Sequence, residues 1–204
     1  MRKQEGGVNN GGMEAVLEYI KQFNWVDILV VILLIRICYV SVKTGFPVEL
    51  FKLLGIVSAI YLACHYYVKV GAFLNNRIPL EGAGWLKFST FLAFLLLGLV
   101  GYFVFMVIRN FLMALIKMEA ISLLNRWGAL MLGIIRAALF VSLLLFTLAV
   151  SNSNYLKNSL TNSFLSPRFL KLTPAVYGVL WNNLLCRFMN KHAFNKAVFE
   201  VLGE

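Results

Sequence analysis

The sequence predicts an all-α membrane protein: a bundle of about four transmembrane helices, with interfacial amphipathic helices and an amphipathic C-terminal tail. Of its 204 residues, 60% are hydrophobic and 14% are charged, whereas a soluble domain has roughly 45 to 50% apolar and roughly 25% charged residues. The apolar residues form continuous runs rather than the alternating pattern of a membrane-spanning barrel strand. Because a helix needs about 20 such residues to cross the hydrocarbon layer, the runs predict four spans.

Residues 1–24 are predicted to form a flexible extension followed by a short interfacial helix. The first twelve residues include four glycines and two asparagines, a composition that cannot bury enough surface to fold. Residues 13–23 then carry an apolar stripe that includes Val16, Ile20 and Phe23, which suits a helix at the interface or an extension of the first span. Met13 is an alternative start. This segment lacks the apolar core of a secretory signal peptide.

The four predicted spans, residues 25–42, 50–68, 88–108 and 127–150, make up the transmembrane domain 25–150. Trp25 opens the first span, as expected for an interfacial aromatic residue. The second span has a narrow face of small residues that includes Gly55, Ala59 and Ala63, and such a face lets a neighbouring helix come close. The third span is free of charge, and the fourth is interrupted only by Arg136.

The segments between the spans are predicted to be a turn at residues 43–49, an exposed connection at 67–87 and a separate interfacial helix at 109–126. The region 151–204 changes to Ser, Asn, Lys and Pro among scattered apolar residues. We expect it to form amphipathic helices at roughly 166–172, 175–189 and 193–202, lying on the membrane surface or packed against the bundle.

The net charge of +10 could indicate a nucleic-acid partner, but the 19 Lys and Arg residues are scattered singly through the connecting segments. Basic residues of this kind flank membrane helices and favour anionic lipid surfaces. We therefore expect the lipid bilayer as a partner and no nucleic acid.

Charged residues inside predicted spans are functional candidates because burying them in lipid costs at least a few kcal/mol. Arg36 and Arg136 are the two arginines in such positions. Each of them either extends to the cytoplasmic interface or lines a polar cleft with Glu49 as the counter-ion. The sequence leaves both interpretations open.

The sequence has no pattern typical of an enzyme, a metal site or a cofactor site. Asp27 is the sole aspartate, whereas an aspartyl intramembrane protease needs two. His65 adjoins Cys64, and adjacent residues do not present the spaced ligands that zinc requires. The three cysteines, Cys38, Cys64 and Cys186, do not form a disulfide framework. We predict no catalytic residue, no metal and no cofactor.

Two stretches carry a family resemblance. Residues 24–55, NWVDILVVILLIRICYVSVKTGFPVELFKLLG, and residues 123–141, LLNRWGALMLGIIRAALFV, resemble the colicin V production protein (CvpA) family in order and spacing. A third stretch, residues 159–180, is similar to the family's tail after the last span. The positions that match the family motifs or the predicted cleft are Asp27, Arg36, Gly45, Glu49, Gly55, Asn125, Gly128, Gly133 and Arg136.

The resemblance implies a bacterial inner-membrane protein linked to colicin V production or to envelope processes. Some relatives carry an extracytoplasmic protease domain after the fourth span, which implies an extracytoplasmic C-terminus here. Lys and Arg are nearly equally numerous on the two sides of the spans, so charge alone does not decide the orientation.

Three hypotheses for function follow. The first is a non-enzymatic component of envelope homeostasis or of toxin production and export, acting with an unidentified envelope or export protein. The second is a small channel or transporter, formed as a homo-oligomer through the small-residue faces of spans two and four. The third, an intramembrane enzyme, lacks a nucleophile with a base in reach.

Overall fold

A computed structural model describes residues 24–77, 83–115, 122–151, 153–185 and 194–201. Over these ranges the chain is helical and contains no strand. Four of the helices are long and apolar enough to cross a membrane, with apolar portions at Trp25–Thr44, Phe46–Arg77, Gly84–Phe111 and Arg126–Val150. The predicted all-α membrane bundle is confirmed. The predictions for residues 1–23, including Met13 as a start, lie outside the described residues.

The long helices are α1 (Trp25–Thr44), α2 (Phe46–Arg77), α3 (Ala83–Leu115) and α4 (Ser122–Val150). The tail adds α5 (Asn154–Thr161), α6 (Ser166–Leu170) and α7 (Leu172–Leu180), a π-helical turn at Trp181–Leu185, and α8 (Ala197–Glu200). The tail helices predicted near 166–172, 175–189 and 193–202 correspond to α6, α7 with its π-helical turn, and α8. Helix α5 was missed because its eight residues are mostly polar.

The four long helices lie in the spatial order α1, α4, α2, α3, as shown by the contacts between them. Helix α2 packs along α3 through its narrow face, as the small residues predicted. A Cβ added at Gly101 of α3 would stand 2.7 Å from the Ala59 Cα of α2, so the two backbones touch. Helix α4 packs between α1 and α2 and makes few contacts with α3.

The junction between α1 and α2 is a single residue, Gly45, whose φ of 84° suits glycine and strains other residues. Helix α2 begins at Phe46, four residues before the predicted span. Pro47 stands in its first turn, where the missing N–H of proline costs the helix no hydrogen bond.

Two of the predicted connections are wrong. Residues 67–77 continue α2, and Tyr67 is buried with its ring centroid 5.6 Å from that of Phe94. Residues 109–115 continue α3 and 122–126 begin α4, so the described residues contain no separate helix at 109–126; residues 116–121 lie outside them. The helices extend beyond their apolar runs because backbone hydrogen bonds continue beyond the hydrocarbon layer. In the additional turns of α2, Gly71 packs against Thr90 of α3.

The tail packs across the end of the bundle at which α1 begins and α4 ends. Ser142 of α4 meets Thr173 of α7, with 2.7 Å between the two hydroxyl oxygens, and the Thr173 amide donates to the Ser142 hydroxyl at 2.8 Å. Tyr177 of α7 is fully buried among α2 side chains. The tail is therefore part of the hydrophobic core.

Candidate functional site

Glu49 is fully buried where the first turn of α2 folds back against the end of α1. The Gly45 junction places this turn beside Ser41 and Thr44 of α1. The Ser41 hydroxyl donates to Glu49 Oε2 at 3.0 Å, and the Thr44 hydroxyl donates to Oε1. One turn further along α2, Lys52 Nζ lies 2.7 Å from the same Oε1. The carboxylate therefore has two hydroxyl donors and an ammonium group around it.

Arg136 of α4 approaches this carboxylate from the opposite side. Its Nε lies 2.8 Å from Glu49 Oε2, as a charge contact in which the N–H is not directed at the oxygen. One terminal nitrogen donates to the Ser41 hydroxyl at 3.3 Å. The structure thus joins α1, α2 and α4 through one buried polar group, which we call the Glu49 cluster: Ser41, Thr44, Glu49, Lys52 and Arg136.

Two glycines of α4 allow this approach. A Cβ at Gly133 would overlap the Ser41 side chain, and a Cβ at Gly128 would stand 2.6 Å from the Phe46 ring. Gly128 and Gly133 are both family-motif positions, and each lies against a residue at the α1–α2 junction. Their shared role in the structure is to bring α4 close to that junction.

The electrostatics of the Glu49 cluster leave a net positive charge, because two cations surround one carboxylate. Glu49 is 0% and Arg136 is 8% exposed, so the ion pair is a closed contact within the chain and is shielded from solvent. Removing either partner would leave a buried charge without compensation, which is far more costly than removing both.

Arg36 is not part of this cluster. It is exposed on α1, and none of the residues that the structure describes forms a hydrogen bond or an ion pair with it. The structure therefore brings Arg136 to Glu49 and leaves Arg36 apart, contrary to a cleft lined by both arginines.

Asp27 occupies a separate position at the start of α1 and holds the tail. Its Oδ1 accepts from the Ser163 hydroxyl at 2.7 Å and from the Leu165 amide at 2.9 Å. Its Oδ2 accepts from the Phe164 amide at 3.2 Å and from the Asn24 amide at 3.1 Å. The carboxylate is fully buried, and it is satisfied by loop 163–165 rather than by another charge.

The remaining motif positions serve packing or lie partly outside the description. Gly55 of α2 faces α3, where a Cβ would stand 3.2 Å from the Phe105 Cβ. Asn125 lies in the first turn of α4, and its side chain is outside the described part of the chain.

Sequence reasoning missed the polar network around His65. Its Nδ1 lies 3.1 Å from the Tyr177 hydroxyl, and its ring stacks on Trp181 at 5.3 Å. The Asn195 amide donates to the same hydroxyl at 3.2 Å, and its side chain donates to the Cys64 carbonyl at 2.7 Å. Burial raises the pKa of the Tyr177 hydroxyl. His65 is buried beneath the tail, and no motif in the sequence indicated Tyr177 as its partner.

The residues described contain no group of three or more His, Cys, Asp or Glu side chains arranged to hold a metal ion. The buried charges of Asp27, Glu49 and Arg136 instead contact hydroxyl groups, backbone amides or one another.

The fold and the site together define a multi-pass membrane protein of the helical-bundle class. It has four helical spans, a carboxylate–arginine pair buried between α2 and α4, and a tail bound to the start of α1. A family model described as "Colicin V production protein" matches residues 26–174. The chain belongs to this family. The matched region includes both the Glu49 cluster and the loop that Asp27 binds. No curated protein matches the chain, and no solved structure does.

Proposed function

We propose that this chain is a non-enzymatic component of the bacterial inner membrane that acts in envelope homeostasis or in the production and export of colicin V. The observation that carries the proposal is the family match, which covers residues 26–174, that is, the four long helices and the tail as far as the first residues of α7. The burial of Glu49 and Arg136 supports it, because this ion pair joins α2 to α4 and neither charge is open to a substrate.

The test is deletion of the gene in a bacterium that carries the genes for colicin V, followed by measurement of released toxin and of leaked periplasmic enzyme. We expect at least one of the two to change and to be restored by the wild-type chain. A strain that releases both normally after deletion would overturn the proposal.

We further propose that the tail and the start of α1 face the extracytoplasmic side. The support is the family resemblance, together with the docking of the tail on the end of the bundle where α1 begins. Alkaline phosphatase is active only outside the cytoplasm, so a fusion after residue 204 should be active. A fluorescent protein placed within 116–121 should fluoresce in the cytoplasm. The reverse pattern would overturn this orientation while leaving the proposed role open.

A channel or transporter is the second candidate. It is favoured by the positions of Glu49, Lys52 and Arg136 inside helices that cross the membrane, since intramembrane charges often mark ion pathways. Purified protein in liposomes distinguishes the two candidates. Ion or solute flux that is lost in Arg136→Gln would favour the channel, and the absence of flux under every gradient would remove it.

A further inference from the structure

Helices α3 and α4 diverge over an apolar groove that opens towards the lipid. The cavity between α2, α3 and α4 has a volume of about 340 Å³. Its walls include Phe91, Leu95, Gly98, Phe140, Leu144 and Leu148. The polar Thr147 on its wall donates its hydroxyl to the Leu143 carbonyl of its own helix at 2.7 Å. The groove therefore suits hydrocarbon.

The groove adjoins a second cavity at the end of the bundle that the tail covers, and the walls of this second cavity carry both apolar and charged side chains. This mouth has a volume of about 350 Å³ and is lined by Tyr67, Thr90, Lys157 and Glu200, among others. Two consecutive residues of α3 line the two cavities: Thr90 lines the mouth, and Phe91 lines the groove. Tyr67 of the mouth also contacts Phe94 of the groove, ring to ring.

The mouth presents two exposed charges of opposite sign. Among the residues that the structure describes, neither Lys157 nor Glu200 forms an ion pair. An ammonium group attracts a phosphate, and a carboxylate attracts an amine. The mouth is therefore complementary to a headgroup that contains both a phosphate and an amine.

We propose that the groove and its mouth bind a phospholipid of the phosphatidylethanolamine type. One acyl chain lies in the groove, the phosphate lies near Lys157, and the amine lies near Glu200. From Phe91 to Tyr102 the groove follows α3 for roughly 16 Å, about half of the roughly 30 Å hydrocarbon layer, which is the depth of one leaflet. A helix of about 10 Å diameter over that length is much larger than the groove, so an acyl chain fits between its walls, whereas a helix of a second copy would lie across its opening. This binding is independent of the proposed role in the envelope or in export.

The acyl chain is tested by filling the groove. Gly98 lines it, and a Cβ there meets no atom within 4 Å, so Gly98→Phe adds a ring to empty space. Gly84→Phe is the matched control, because Gly84 lies on the same helix, is equally open and does not line the groove. The full chain is reconstituted in nanodiscs of phosphatidylethanolamine and phosphatidylglycerol, and the probe is a phosphatidylethanolamine with a photoreactive diazirine in one acyl chain.

We expect Gly98→Phe to lower the cross-linked yield about tenfold or more and Gly84→Phe to leave it unchanged. Equal yields in the wild type and both variants would overturn the proposal, because the probe would then be reporting bulk lipid. Protein-to-protein cross-links through the groove in the wild type would also overturn it, since a second copy would then be the occupant.

The headgroup is tested separately at the exposed mouth, where folding is least affected. Glu200→Lys places two cations there, and we expect the preference to shift several-fold from phosphatidylethanolamine to phosphatidylglycerol when the two photoreactive lipids are compared. Arg77→Gln, a charge change on α2 outside the mouth, should leave the preference unchanged. An unchanged preference in Glu200→Lys would overturn the headgroup assignment.

Discussion

Glu49 lies where three helices meet, and its partners come from all of them. Ser41 belongs to α1, Lys52 to α2 itself and Arg136 to α4. Removing a charge from water costs several kcal/mol per ion, so a buried pair is stable only when each member has its partner. The cluster therefore specifies how the helices pack more than it adds to their stability.

Glu49→Gln should lower the free energy of unfolding by about 3 to 5 kcal/mol, because it leaves the Arg136 guanidinium buried without its counter-ion. Unfolding of the purified protein by sodium dodecyl sulfate in mixed micelles measures this change. Arg36→Gln is the matched control on an exposed arginine and should change the value by no more than about 0.5 kcal/mol. Equal losses in the two variants would mean that the ion pair is not formed.

The sequence left open whether Arg36 and Arg136 extend to the interface or line a cleft with Glu49 as the counter-ion, and the structure pairs Glu49 with Arg136. Arg36 and Arg136 both stand in apolar runs, at similar depth from the same end of the bundle. Which of them faces Glu49 depends on how α1 and α4 are rotated about their axes, and hydropathy along the chain does not contain that rotation.

At the scale of the helices, α4 reaches the α1–α2 junction because glycine leaves room for it. Gly133 lies against Ser41, and Gly128 lies against Phe46. Lipid offers no hydrophobic drive for helix pairing, so close contact of small residues and hydrogen bonds hold the helices together. Gly128 and Gly133 therefore allow the close approach that the Glu49 cluster needs, and the hydrogen bonds and ion pair of the cluster hold α4 in that position.

Gly133→Ala should destabilise the bundle by about 1 to 3 kcal/mol, because the added methyl group overlaps the buried Ser41 side chain and α4 must move away. Thermal unfolding in detergent, followed by circular dichroism, measures the loss. Gly98→Ala adds the same methyl group to open space and should leave the unfolding temperature nearly unchanged. A loss of equal size in Gly98→Ala would mean that replacing any helix glycine destabilises the bundle, and that the contact with Ser41 is not the cause.

The lengths of α2 and α3 were underestimated from the sequence. Both helices continue beyond their apolar runs, to Arg77 and to Leu115 respectively. Hydropathy marks where a helix enters water but not where its backbone hydrogen bonds end. Each residue added to a helix that is already nucleated gains a hydrogen bond, so α2 and α3 continue through the scattered polar residues, and the predicted connections were too long.

At the scale of the whole molecule, the tail closes one end of the bundle through two contacts far apart in sequence. Asp27 binds loop 163–165, and Tyr177 is buried against α2 beside His65. The first contact is made by a carboxylate and backbone amides, and the second by aromatic packing. Together they make the tail part of the folded domain.

Asp27→Asn should loosen the tail. The asparagine side chain would place an NH2 group, which is a donor, opposite backbone N–H groups that now donate to the carboxylate. Hydrogen bonds to a charged acceptor contribute about 1.5 to 3 kcal/mol, so the amides of Phe164 and Leu165 should exchange with deuterium about tenfold faster or more. Hydrogen exchange with mass spectrometry measures this rate. Arg77→Gln, which neutralises an exposed cation on α2 outside the tail, should not change it. Unaltered exchange in Asp27→Asn would contradict the anchoring role.

Two substitutions of Tyr177 distinguish the contribution of its hydroxyl hydrogen bonds from that of its buried ring to the docking of the tail. Tyr177→Phe removes both hydrogen bonds of the hydroxyl, with His65 and from the Asn195 backbone amide, and should cost about 2 kcal/mol. Tyr177→Ala also opens a cavity and should cost about 3 to 5 kcal/mol. Chemical or thermal unfolding of both variants gives the two values. Equal costs would mean that the polar network around His65 provides most of the stability and the ring little.

The sequence by itself determined that four apolar segments form helices and cross the bilayer. Peptide groups left unpaired in hydrocarbon cost several kcal/mol each, and helices pair all of them within one segment, whatever the neighbouring segments do. Only the tertiary structure decided which arginine meets Glu49, what Asp27 binds and where the tail lies. Those contacts join residues 87 to 138 positions apart in the chain, and they depend on helix rotation and close packing, which a pattern along one segment does not contain.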